Sequence, residues 1–168
     1  MSNELTGFPR ADGRWGFRNQ VLVLPLHSAL SSVARKIADA SNGAVAVSHD
    51  WSGERDSDYD RIFKTISGFA ANPNSFATIF LTLNTPHEIE IIKAAQKIGV
   101  NHTEIINLAE LGSMDKLFEV ALPIANDLVV QAKKVARVPA PWCLNQLGDS
   151  PFDLYLKSRN QIIQWMLF

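Results

Sequence analysis

The sequence predicts an α/β domain: an open, three-layer parallel sheet of about four strands with helices on both faces. Three observations lead there. Four short apolar runs rich in β-branched residues punctuate the chain, and segments with apolar residues at helical spacing lie between them. Asn, Gly or Pro closes most of those segments. Strand–helix alternation repeated in this way is the pattern of a parallel sheet wound by right-handed crossovers.

Val21-Leu22-Val23-Leu24, ended by Pro25, is the first strand. A continuous apolar run of this length suits a strand buried on both faces. Val33, Ile37 and Ala40 share one face of a helix over Ser28–Ser41, stopped by Asn42-Gly43. Ala44–Val47 is the second strand. Ile62, Phe63, Ile66, Phe69 and Ala70 mark a second helix over Ser57–Ala71, with Asp58 and Asp60 complementing the dipole at its start. Thr78–Leu83 is the third strand. Thr85-Pro86-His87-Glu88 has the spacing of a capping box and opens a third helix through Ile91, Ala94, Ala95 and Ile98 to Gly99. Thr103–Ile106 is a fourth, weaker strand, and Met114–Ala136 a fourth helix that Pro123 should kink or split. The expected strand order is 2-1-3-4. Residues 1–137 form this domain; 138–168 are a C-terminal extension that begins as an extended linker, Val138-Pro139-Ala140-Pro141. The apolar end, Ile162–Phe168, is expected to pack on the domain or to drive self-association through Ile163 and Trp165.

Composition excludes several classes. With 168 residues, 46% of them hydrophobic, and a net charge of −1, the chain is neither disordered nor an electrostatic nucleic-acid binder. The single cysteine, Cys143, allows neither an internal disulfide nor a thiolate zinc cluster. No apolar run approaches the roughly 20 residues that span a bilayer, and Met1–Arg10 lacks a secretory layout, so a cytoplasmic location is expected. No G-x-G-x-x-G or Walker pattern follows a strand, so no nucleotide cofactor is expected.

Ligands of open α/β sheets bind at the carboxyl ends of the strands. His27 follows the first strand, His49 and Asp50 the second, and Asn84, Thr85 and His87 the third. His49 and Asp50 are candidates for proton transfer or metal ligation. Each polar residue also has a plainer reading, Thr85 as a helix cap above all. Arg10, Arg14 and Arg18, four residues apart around Asp12-Gly13, could clasp a small anion through bidentate hydrogen bonds. Equally, they could belong to an ordered edge segment and pair with acids or surface carbonyls.

Arg10-x-Asp12-Gly13-Arg14-x-Gly16-x-Arg18-Asn19, the strand that follows and Val33-Ala34-Arg35-x-Ile37-Ala38 resemble the opening of the catalytic domain of the altronate/galactarate dehydratase family. The sulfolactate sulfo-lyases are similar. The likeness continues through Val47-Ser48-His49, Thr65–Ala70 and Asn72-Pro73-Asn74. It implies a hydro-lyase acting on a hexonate or hexarate such as altronate or galactarate, with a divalent metal, iron or magnesium. It also implies that this chain corresponds to the first α/β unit of a longer catalytic region. Where the family pattern carries cysteines, Asp50-Trp51-Ser52-Gly53 and Asn84-Thr85-Pro86 stand here, which leaves His49 as the candidate metal ligand. The resemblance carries over Arg10, Asp12, Arg14, Arg18 and Asn19 as motif residues and His49 as a site residue; in a hydro-lyase Arg14 and Arg18 would hold the substrate carboxylate and His49 would move the proton, while Asp50, His27, Asn84 and Thr85 remain candidates from their places at the strand ends. The expected partners are a small anionic sugar acid and either further copies of the chain or a larger dehydratase subunit. A shortened, non-catalytic subunit that binds small anions or supports assembly is the alternative.

Overall fold

The computed structural model describes residues 6–54 and 57–140. Cys143 and the apolar end at Ile162–Phe168 lie outside the described residues.

Two strands precede the main sheet: β1 (Thr6–Pro9) and β2 (Trp15–Gly16). The alternation then runs β3 (Gln20–Pro25), α1 (Ser31–Ala40), β4 (Ala44–Ala46), α2 (Tyr59–Ala70), β5 (Ser75–Thr82), α3 (Pro86–Ile98) and β6 (Thr103–Asn107). A one-turn helix α4 (Leu108–Leu111), the long α5 (Met114–Lys134) and β7 (Val138–Pro139) complete it. The four-stranded sheet is parallel, in the order β4-β3-β5-β6. Counting only these four strands, that is the expected order of second, first, third and fourth.

Because successive strand residues point to opposite faces, the central strands feed two cores. Val21, Val23, Ile79 and Leu81 meet Val33 and Ile37 of α1 and Leu117, Ala121, Ala125 and Leu128 of α5. Leu22, Leu24 and Phe80 meet Tyr59, Ile66 and Ala70 of α2 and Ile91, Ile92 and Ala95 of α3. Each fully buried large side chain contributes about 1.5–3 kcal/mol by leaving water.

Local details differ from the sequence-based expectation at four places. The first helix opens with a 3₁₀ turn, Ser28–Leu30, because the His27 side chain caps it; regular helix starts at Ser31. The second begins at Tyr59, two residues later than Ser57. Pro123 does not divide α5, which runs unbroken for 21 residues with Ala121 and Ala125 buried on either side of the proline. Packing of that face outweighs the hydrogen bond the proline lacks. Finally, Val138-Pro139 is not a free linker: it pairs antiparallel with Thr6-Gly7, so that β2-β1-β7 form a second, small sheet.

Candidate functional site

At the carboxyl edge of the parallel sheet, β3 delivers His27 and β4 delivers the loop 48–54. His27 Nδ1 accepts the backbone N–H of Ala29 at 3.0 Å, which puts the neutral ring's proton on Nε2. Gly53 crosses close by with φ +87°, and a Cβ there would come within 3.0 Å of the His27 ring, so the approach requires glycine. His49 stitches the loop to the sheet: Nε2 donates to the Pro25 carbonyl at 2.7 Å, and Nδ1 accepts the Trp51 N–H at 3.2 Å. Both ring nitrogens are thus engaged by backbone. Burial pushes the His49 pKa below its ordinary value, aided by the neighbouring His27 and opposed by the Pro25 carbonyl and Asp50. Trp51 is buried beneath the loop, and its indole N–H donates to the Glu54 carbonyl at 2.8 Å.

Between this loop and α2 lies a cleft of about 400 Å³ lined by His49, Asp50 and Trp51 on one side and Asp58, Arg61 and Thr65 on the other. Arg61 Nη2 stands 3.9 Å from Asp58 Oδ1, and its side chain is 77% exposed. Such a long, exposed ion pair is weak, about 0–1 kcal/mol, and yields readily to another carboxylate. Arg61 escaped the sequence reading. Its signal is the spacing Asp58-x-x-Arg61 in the first turn of the helix that leaves the rim loop.

The end of β5 supplies the third part of the rim. Asn84 is exposed, with left-handed backbone at φ 65°. Thr85 is the cap its motif announced. Its hydroxyl accepts the Glu88 N–H, while Glu88 Oε2 accepts from the Thr82 hydroxyl at 2.7 Å, from Leu83 N at 2.9 Å and from Thr85 N at 3.0 Å. A row of rings links the two ends of the rim: His49 to Trp51 (centroids 6.4 Å apart), Trp51 to Tyr59 (6.0 Å) and Tyr59 to His87 (5.1 Å).

The N-terminal arginines lie elsewhere, which corrects the picture of one pocket holding arm and rim together. Arg14 donates to the carbonyls of Ala71 (2.8 Å) and Gly99 (2.6 Å), the C-terminal ends of α2 and α3, at the amino edge of the sheet. Arg10 donates to Pro73 O at 2.7 Å and to Arg18 O at 3.2 Å. Asn19 donates to Ala132 O in the last turn of α5, and the backbone N–H groups of Phe17 and Arg18 donate to Asn74 Oδ1. Asp12 fixes Arg14 through a 2.6 Å ion pair. Burial would raise the Asp12 carboxyl, but the backbone N–H and guanidinium of Arg14 outweigh it and hold the pKa below its usual range. Helix C-termini carry orphan carbonyls and partial negative charge, and here guanidinium groups satisfy them. Arg18 alone of the three has an exposed side chain with no hydrogen bond among the described residues.

His27, His49 and Asp50 therefore share one stretch of the carboxyl rim, with Asn84 and Thr85 further along it, and Arg10, Asp12, Arg14, Arg18 and Asn19 occupy the opposite edge. Among the described residues no group of three or more His, Cys, Asp or Glu side chains could hold a metal ion. With both nitrogens of His49 engaged as well, the donor set of these residues does not fit the divalent metal expected from the resemblance. No helix among them is long and apolar enough to cross a membrane.

Residues 7–133 match the family described as D-galactarate dehydratase/altronate hydrolase, second domain. The (2R)-sulfolactate sulfo-lyase subunit beta of Chromohalobacter salexigens is 34% identical over 149 residues, a stretch that covers 86% of this chain and 38% of that relative. No solved structure matches.

Proposed function

Because the chain belongs to the D-galactarate dehydratase/altronate hydrolase family, we propose that it is one unit of a lyase that eliminates water, or an equivalent leaving group, from a small hydroxy acid. A hexonate or hexarate such as altronate or galactarate is the first substrate class, and (2R)-sulfolactate, named in the relative, the second. The observation that carries this reading is the rim cleft, where the loosely paired Arg61 faces Asp50 across a space of about 400 Å³.

Elimination beside a carboxylate needs a cation for the growing negative charge, a group to take the α-proton and a donor to the leaving oxygen. Arg61 holds the substrate carboxylate. Asp50, exposed on the loop, and the Thr65 hydroxyl are polar groups the cleft offers to the hydroxyls. His49, committed to Pro25 and Trp51, holds the loop in place. The chain spans 38% of its sulfo-lyase relative, so a larger subunit or further copies of the chain completing the rim belong to the same proposal.

A second reading, a subunit that binds the anion without turning it over, is favoured by His49, whose two ring nitrogens are both engaged by backbone groups. The test is to follow elimination and binding of D-altronate, D-galactarate and (2R)-sulfolactate with the full chain. Turnover supports the lyase unit. Saturable binding alone supports the second reading, and absence of both contradicts the two together.

A further inference from the structure

The cleft between the 48–54 loop and α2 is unevenly charged. Among the described residues that line it, Arg61 is the one cation, while Asp50 and Asp58 are two anions. His49 adds no charge near neutral pH, because burial holds its pKa below the ordinary value and backbone groups occupy both ring nitrogens. Arg35, a further cation beside this loop, donates to the Ser48 hydroxyl at 2.9 Å from α1 and does not line the cleft. The two acids come from different elements. Asp50 belongs to the loop, and Asp58 stands at the N-cap of α2 with Oδ1 3.9 Å from the Arg61 guanidinium.

A ligand carboxylate that takes Arg61 uses the positive charge of this lining in full. The charged groups left around the ligand are then Asp50 and Asp58, which accept hydrogen bonds and donate none. The other polar side chains of the lining are hydroxyls: Ser52, and Thr65, whose proton already goes to the Arg61 carbonyl at 2.8 Å. Such a surface suits a carbon chain bearing hydroxyls, each with a proton to donate. It opposes a second carboxylate or a sulfonate, which brings acceptors only and is repelled by both acids. Selectivity of this kind comes from the group that rejects the wrong ligand as much as from the one that holds the right ligand.

We propose that Asp50 and Asp58 are specificity-determining residues: they form a charge filter that admits a polyhydroxy acid with one negative charge and turns away acids with two. The filter rests on the lyase reading above and narrows it. D-altronate carries one negative charge, whereas D-galactarate and (2R)-sulfolactate carry two each. Asp58 is the cleaner of the two residues to replace, because its side chain makes no capping hydrogen bond to α2 and an Asn there keeps its shape.

Calorimetric titration of the full chain with the three acids tests the filter. At low salt the wild type binds D-altronate about tenfold more tightly than either doubly charged acid, the scale of one or two like-charge pairs in a wet cleft. Added NaCl narrows that gap, since mobile ions screen the repulsion. Asp58→Asn narrows it at low salt to about threefold or less. Asp127→Asn, an equal change of net charge at an exposed position on α5, leaves it as it was. Equal affinities for singly and doubly charged acids, a gap that Asp58→Asn fails to narrow, or one that Asp127→Asn narrows as much, overturns the filter and leaves the lyase reading standing. A wild-type chain that binds none of the three acids removes the lyase reading and the filter with it.

Discussion

Arg14 closes two helices at once. Its guanidinium reaches the last carbonyls of α2 and α3 while Asp12 holds it from behind. Arg14→Ala strands both carbonyls, and stability should fall by about 2–3 kcal/mol, read as a lower midpoint in urea denaturation. Gly16 belongs to the same clasp: a Cβ there would sit 2.1 Å from the Pro73 carbonyl, so only glycine lets the arm lie this close. The arginine spacing was legible in the sequence as one unit, but its destination was not, because nothing local announces the carbonyls of Ala71, Pro73 and Gly99 as its partners. At the other edge, His49 carries a pH signature. Its folded pKa lies below the ordinary 6.5, so between the two values the unfolded chain binds a proton that the folded chain refuses. Its contribution to stability is complete above the ordinary value and is lost as pH falls through it toward the folded pKa. Urea midpoints at about pH 7.5 and about pH 5.5 should differ more for the wild type than for His49→Gln; equal differences would contradict the neutral, buried ring.

At the scale of elements, the third helix was the most legible, since Thr85-Pro86-His87-Glu88 states a cap, a first-turn proline and a returning carboxylate in four residues. Thr85→Ala should cost about 1 kcal/mol. Glu88→Ala should cost more, because it strands the Thr82 hydroxyl and two backbone N–H groups in a fully buried place. Equal losses in the two variants would show that Glu88 does no more than cap. Less legible elements yield to tertiary packing. Pro123 lies in a helix that the core keeps whole, and Val138-Pro139 finds in β1 an edge that no local pattern foretells. Arg61 was missed for the same kind of reason, since an exposed arginine on a helix face looks like any solvated charge until the 48–54 loop is seen folded beside it.

Across the whole molecule, the two edges of the sheet do different work. The amino edge is sealed by the arm and the small sheet, which satisfy helix C-termini and leave Arg10 and Arg14 bound to carbonyls. The carboxyl edge stays open, with His49, Asp50 and Arg61 around the cleft and His87 at the far end of the ring row. Alternation of strand and helix made the layers and the strand order readable in advance. Which edge an N-terminal arm covers was unreadable, because that depends on where its side chains find partners far along the chain.

Calorimetric titration of the full chain with D-galactarate puts this division of labour to the sharpest test, comparing Arg61→Ala with Arg18→Ala. Arg61→Ala should weaken binding about 10- to 100-fold, the worth of a charge-assisted contact to a carboxylate, and Arg18→Ala should leave it unchanged. Weakened binding in Arg18→Ala beside an unaffected Arg61→Ala would put the anion on the arm and contradict the account.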